Sequence, residues 1–215
     1  MLQDLFTFVI ENGLAQDTLL SLLILPALAA LIVFFQIVVG LTDLSLIRGI
    51  LLTLGMVSVG LSYGFFFFLV AFILDFLIRT LLEQQGMLRP AKNAFSLFFL
   101  ALAFIVIFIF GGYFTKKGLL ALDILPVLLI LVTSQGMLQL NLGDHPLRPF
   151  IWLLGTSVFL YLAYSLVTSV KIQTIALTSP SLFLGIVFLI ILFLARFRGL
   201  RLVEFFRFFK IIVKE

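Results

Sequence analysis

Residues 97–110 read LFFLALAFIVIFIF, a run with no charge and no alternation of apolar with polar positions. A transmembrane β-strand shows short alternating segments, so this run is a helix in hydrocarbon, its backbone groups satisfied within their own segment. The rest of the chain has the same character. Of 215 residues, 63% are apolar, 11% are charged and 27 are Phe, and the mean hydropathy is +1.32. Soluble domains run near half apolar and about a quarter charged. The composition is that of an integral membrane protein.

Each crossing takes about 20 apolar residues. Seven apolar stretches read as spans, the second and seventh shorter than this: 18–41, 50–61, 65–82, 94–114, 119–138, 150–170 and 181–194, with Ser62-Tyr63-Gly64 as the turn between the second and third. Pro26 and Gln36 interrupt the first stretch, which neighbouring helices make tolerable. The expected fold is all-α, a polytopic bundle of seven transmembrane helices.

Cytoplasmic loops are enriched in Lys and Arg. With the N-terminus outside, seven spans place Arg48, Arg79, Arg89, Lys92, Arg148 and the six basic residues of the tail inside, leaving Lys116, Lys117 and Lys171 outside. Merging the second and third spans would move the tail cluster outside. The first 17 residues contain Asp4, Glu11 and Asp17 and no base, which agrees with an N-outside, C-inside arrangement. They also have no basic region ahead of an apolar run, so no cleavable signal peptide is expected. Tyr63, Tyr113 and Trp152 fall at span ends, where amphipathic rings prefer to sit.

Three parts follow: an extracytoplasmic segment over 1–17, a bundle over 18–195, and a basic cytoplasmic tail over 196–215. The tail carries Arg196, Arg198, Arg201, Arg207, Lys210 and Lys214, interleaved with four Phe from Phe205 on. On a helical wheel Leu202, Phe205, Phe206, Phe208, Phe209 and Ile212 share one arc, while Glu204, Arg207, Lys210 and Lys214 lie opposite. Too charged for an eighth span, the tail reads as an interfacial helix whose cations meet anionic headgroups. Nucleic acid is not an expected partner, because lipid or the bundle claims the phenylalanines.

The chain has no Cys and one His. Disulfides, thiolate chemistry and His-built zinc sites are excluded, and no cofactor or metal is expected. Inside the spans, four polar residues are candidates for function or structure: Gln36, Asp75, Arg79 and Asp123. Asp75 and Arg79 stand four apart on one helix face. An intramembrane ionisable residue is a functional hypothesis by default, but a self-neutralising ion pair is the simpler reading. Asp123, in the first turn of the fifth span, suits the helix dipole. GLSYG, residues 60–64, reads as a tight hairpin rather than a packing motif. Asp144 beside His145 lies in a proline-bounded loop and reads as a connector. No catalytic motif is present, and the lysine-free seventh span excludes a retinal Schiff base.

LILPALAALIVFFQIVVGL (23–41), LSLIRGILLTLG (44–55), FLIRTLLEQQGMLRPAKNAF (76–95) and LARFRGLRLVEFFRF (194–208) together resemble one family. It is the bacterial seven-transmembrane module usually fused to an inactive transglutaminase-like domain. Its pattern of a proline-containing first span, a "QVIGL"-type end and a "GLRLxEYxRF"-type close matches 23–30, 36–41 and 199–208, within a resemblance covering 17–208. Two departures are apparent: Phe35 replaces the family's basic residue, and only about 17 residues precede the first span, so the fused domain is expected to be absent. The resemblance implies a bacterial cytoplasmic-membrane protein, no catalytic residue, and partners such as an ATP-grasp amino-acid ligase or a transglutaminase-like protein.

The expected function is therefore non-enzymatic: an anchor, sensor or assembly platform, associated with an amino-acid ligase or a peptide modification or export system. A small transporter or permease subunit is the alternative, suggested by Pro26, Gln36, Pro126 and the Asp75–Arg79 pair.

Overall fold

In hydrocarbon a backbone N–H or C=O has no water to bond, so each apolar stretch closes its hydrogen bonds internally as a helix. A computed structural model describes residues 16–41, 44–83, 89–114, 123–134 and 148–196. Among them all regular structure is helical. The α-helices are α1 (Gln16–Phe34), α2 (Leu46–Val59), α3 (Leu61–Glu83), α4 (Arg89–Phe114), α5 (Ile124–Ser134), α6 (Arg148–Thr168), α7 (Val170–Thr178) and α8 (Pro180–Ala195). Each of the seven apolar stretches overlaps one of them, and α7 is an addition that periodicity did not suggest. Residues 197–215, and with them most of the tail, lie outside the described residues. So do the Asp144–His145 loop and Lys116 and Lys117.

By length and composition, Thr18–Val39 and Leu61–Leu81 can each cross a membrane, and the bent pair of α6 and α7 makes a third crossing if it is one span. α2 has 14 residues, which rise roughly 21 Å against about 30 Å of hydrocarbon. α5, with 11 residues, is shorter still.

Local sequence explains the helix ends. Ser45 caps α2, its Oγ accepting from the Arg48 N–H at 3.3 Å, the usual work of a serine before a first turn. α1 runs through Pro26 and widens into a π-helical turn over Phe35–Val39. Gly40, at φ 96°, ends that turn, and both its N–H and that of Leu41 reach the Phe35 carbonyl, at 3.0 and 3.1 Å. α6 stops at Ser169, where the axis bends by 52° into α7. The Gln173 amide donates to the Val167 carbonyl at 2.9 Å, satisfying one acceptor that the end of α6 leaves free.

The turn between α2 and α3 is a correction. It falls at Gly60 (φ 91°), not at Ser62-Tyr63-Gly64, which form the start of α3. Gly64 instead provides close approach, because a Cβ there would lie 2.6 Å from Met56 Cγ and 3.2 Å from Met56 Cα. Eight residues of continuous helix would separate these positions by roughly 12 Å, so the chain folds back on itself. GLSYG is thus both hairpin and packing motif.

The chain divides into two compact units, Met1–Ile50 with Val158–Glu215, and Leu51–Ser157. In the first, α1 packs on α7 and α8. Leu19 and Leu23 meet Ala176, with Leu177, Phe183 and Leu184 around them. Further along, Ala27 and Ala30 meet Val187, small residues that let helices approach where lipid is as apolar as Leu. Phe35 stands edge-on to Phe159, with centroids 5.4 Å apart. Outward positions of α8 such as Leu182, Ile186, Phe188, Leu189 and Phe193 are exposed, a surface suited to lipid rather than water.

In the second unit α3 packs on α4 and α5. Phe67 meets Phe104 and Phe108 at 5.5 and 5.8 Å. Gly55 lets α2 approach α5, where a Cβ would stand 3.0 Å from the Pro126 carbonyl oxygen. Trp152 is no rim residue here. It is 5% exposed and stacks on Phe72, with centroids 6.0 Å apart and planes at 7°.

Candidate functional site

The buried polar side chains among the described residues are Thr53, Asp75, Arg79, Ser96, Thr133, Ser134 and Thr156, and every one belongs to the second unit. Thr133, Ser134 and Thr156 bond carbonyls of their own helices, at 2.6, 2.9 and 2.9 Å. Asp75 and Arg79 do more.

Asp75 is fully buried and Arg79 nearly so. One turn apart on α3, they meet through Arg79 Nε and Asp75 Oδ2 at 2.9 Å. The Ser96 hydroxyl of α4 donates to the other carboxylate oxygen, Oδ1. Arg79 also reaches α4, its terminal nitrogen Nη2 donating to Asn93 Oδ1 at 3.2 Å. The partner numbers run in opposite directions, Asp75 to Ser96 and Arg79 to Asn93, and Phe67 to Phe104 continues the register. That is an antiparallel hairpin, its polar brace near the end of α3 and the start of α4.

The ion pair suggested by the spacing is therefore present, and two further residues join it. Asn93 and Ser96 were not singled out from the sequence. Their signal was a polar pair three apart, hence on one helix face, at the start of a run otherwise almost wholly apolar. The arrangement holds both charges in a low-dielectric interior, with each carboxylate oxygen matched by a donor. Such matching is the condition under which a buried pair survives its desolvation cost.

The other candidates stand apart from this brace. Gln36 is half-buried in the π-turn, and its side-chain amide donates to the Leu44 carbonyl, tying the end of α1 to the approach to α2. Asp123 is exposed and precedes α5 by one residue, rather than lying in its first turn. That position still favours an anion beside the helix dipole. Arg196 follows α8 in a turn and is exposed; Arg198, Arg201, Arg207, Lys210 and Lys214 lie outside the described residues.

Residues 3–212 match the family described as seven transmembrane helices usually fused to an inactive transglutaminase. The chain belongs to this family. No curated protein and no solved structure matches it. The match spans nearly the whole chain, so the helices form an integral membrane module of the seven-helix transglutaminase-associated family, and its surroundings are the lipid bilayer.

Proposed function

We propose that the chain is a non-catalytic membrane module, an anchor, sensor or assembly platform that holds a protein partner at the bacterial cytoplasmic membrane. One observation carries the reading: the family bundle matched by residues 3–212 is usually joined to a transglutaminase that is inactive. A bundle that travels with a domain lacking activity serves it by placement. The polar interior is consistent with this, since both Asp75 oxygens are engaged by Arg79 and Ser96 in a way that braces two helices.

In this reading residues 1–17 face the outside, 18–195 form the bundle, and 196–215 lie on anionic headgroups in the cytoplasm. The partner is a transglutaminase-like protein outside or an ATP-grasp amino-acid ligase inside, in a peptide modification or export system. Affinity purification of the full chain from its own membranes in mild detergent tests it: a transglutaminase-like protein or a ligase co-purifies. Recovery of the folded chain alone contradicts the reading.

A transporter subunit is the second reading, favoured by the 52° break at Ser169 and the π-turn at Gln36. Transporters use such discontinuous helices at their binding sites. Solute flux into proteoliposomes that Asp75→Ala abolishes would favour it.

A further inference from the structure

One helix face in the first unit departs from its surroundings. Outward positions of α1 and α8 such as Leu22, Leu25, Leu182, Ile186 and Leu189 are apolar. On α7 the exposed residues include Lys171, Thr174 and Thr178. Their spacing of three and four puts them on one helix face, on the side away from Ala176, which packs against Leu19 and Leu23 of α1. Among the described residues no carboxylate pairs with the Lys171 ammonium. A cation facing lipid is costly, so it calls for an anion or for water.

The chain enters α1 beside this helix. Leu19 and Leu23 fall within the first two turns of α1, which starts at Gln16. Residues 1–15, which precede it, lie outside the described residues, but their sequence is suited to α7. It holds Asp4 and Glu11 and no Lys or Arg. At helical spacing Asp4, Thr7 and Glu11 share one arc, while Leu2, Leu5, Phe6, Val9 and Ile10 share the other. Asn12-Gly13 follows as a stop signal. The steps from Asp4 to Thr7 to Glu11, three and four, equal those from Lys171 to Thr174 to Thr178. The family match begins at residue 3, so this segment is part of the bundle module.

We propose that residues 2–12 form a short amphipathic helix docked on the exposed face of α7 at the membrane surface. It runs parallel to α7, pairs Asp4 with Lys171, sets Thr7 against Thr174 and Glu11 against Thr178, and turns its apolar arc to lipid. The C-terminal half of α7 lies against the first turns of α1, so a segment running along α7 arrives at the start of α1 and reverses over residues 13–15. Three extended residues reach about 10 Å, and packed helix axes lie about 8–10 Å apart. A second copy on this face would bring two cationic surfaces together, which disfavours it.

The chain has no cysteine, so introduced pairs report alone. Thr7→Cys combined with Thr174→Cys is oxidised mildly in the full chain in membranes. Both thiols then resist maleimide until reductant is added, while the chain stays monomeric on a non-reducing gel. Thr7→Cys paired instead with Leu182→Cys, at an exposed apolar position of α8, keeps its thiols free. Free thiols in the first pair overturn the proposal, as does equal protection of both pairs, which means a segment with no fixed seat. A disulfide-linked dimer also overturns it, by putting a second copy on the face. Charge reversal is the second measurement. Lys171→Glu lowers the melting temperature in lipid nanodiscs, and adding Asp4→Lys restores it. An unchanged value for Lys171→Glu, or losses that add, overturns the pairing.

Discussion

The hydroxyl of Ser96 donates to Asp75 across the hairpin of α3 and α4, while the other oxygen of Asp75 holds Arg79 Nε at 2.9 Å. One carboxylate thus neutralises a neighbour on its own helix and ties down the next. In lipid, where burial of apolar area does not drive helices together, such bonds and close packing carry association.

Removing one charge leaves the other uncompensated. Asp75→Asn destabilises the bundle by about 3–5 kcal/mol, the range for breaking a buried pair, and Arg79→Met does the same. A double-mutant cycle on thermal unfolding in detergent shows strong coupling, with Asp75→Leu combined with Arg79→Leu recovering most of the loss. Additive losses would mean that the two side chains act separately.

Ser96→Ala is gentler. It deletes one bond to a carboxylate and leaves the ion pair, so the loss is about 1–2 kcal/mol. The same unfolding assay checks it, and an effect as large as that of Asp75→Asn would mean that Ser96 supports more than this bond.

Two glycines in one hairpin fail for different reasons. A Cβ at Gly60 meets nothing within 4 Å, but φ is 91°, so Gly60→Ala loses about 1–2 kcal/mol to backbone strain and Gly60→Asn loses less. Gly64→Val instead collides with Met56, losing about 1–3 kcal/mol by overpacking. Met56→Ala alongside Gly64→Val removes the side-chain part of that clash, the contact with the Met56 backbone at 3.2 Å remaining, and leaves the Gly60 effect untouched. Thermal unfolding of the four variants separates strain from collision.

Most of the architecture was legible because lipid imposes a strong rule on sequence. Runs such as residues 97–110 must be helices, and seven of them emerged at about the right places. Boundaries near glycine and serine were harder. Gly60 and Gly64 share a motif, and only tertiary contact with Met56 distinguishes the turn residue from the packing residue. The break at Ser169 was invisible, since the chain is helical on both sides of it, as α6 before and α7 after. Asp75 and Arg79 were visible by spacing alone, whereas Asn93 and Ser96 needed the hairpin register to bring them opposite. Trp152 read as an interfacial ring because its position near a span end looked decisive; stacking on Phe72 placed it inside.

The orientation derived from basic residues is open to a simple check, because the chain has no cysteine. Lys171 and Arg196 are both exposed and flank α8. A membrane-impermeant maleimide added to intact cells labels Lys171→Cys and leaves Arg196→Cys unlabelled until the cells are opened. The reverse pattern would place the N-terminus inside.

The doubly apolar chain, Asp75→Leu with Arg79→Leu, separates a structural brace from a working site most directly. Its capture of a transglutaminase-like partner from native membranes is measured beside that of the unaltered chain, with melting temperatures taken on both. A chain whose charges serve only the fold melts close to the original and captures the partner equally well, since well-packed apolar replacements of a buried pair are often neutral. A variant that melts normally yet loses its partner would contradict the account and make the Asp75–Arg79 pair part of the function itself.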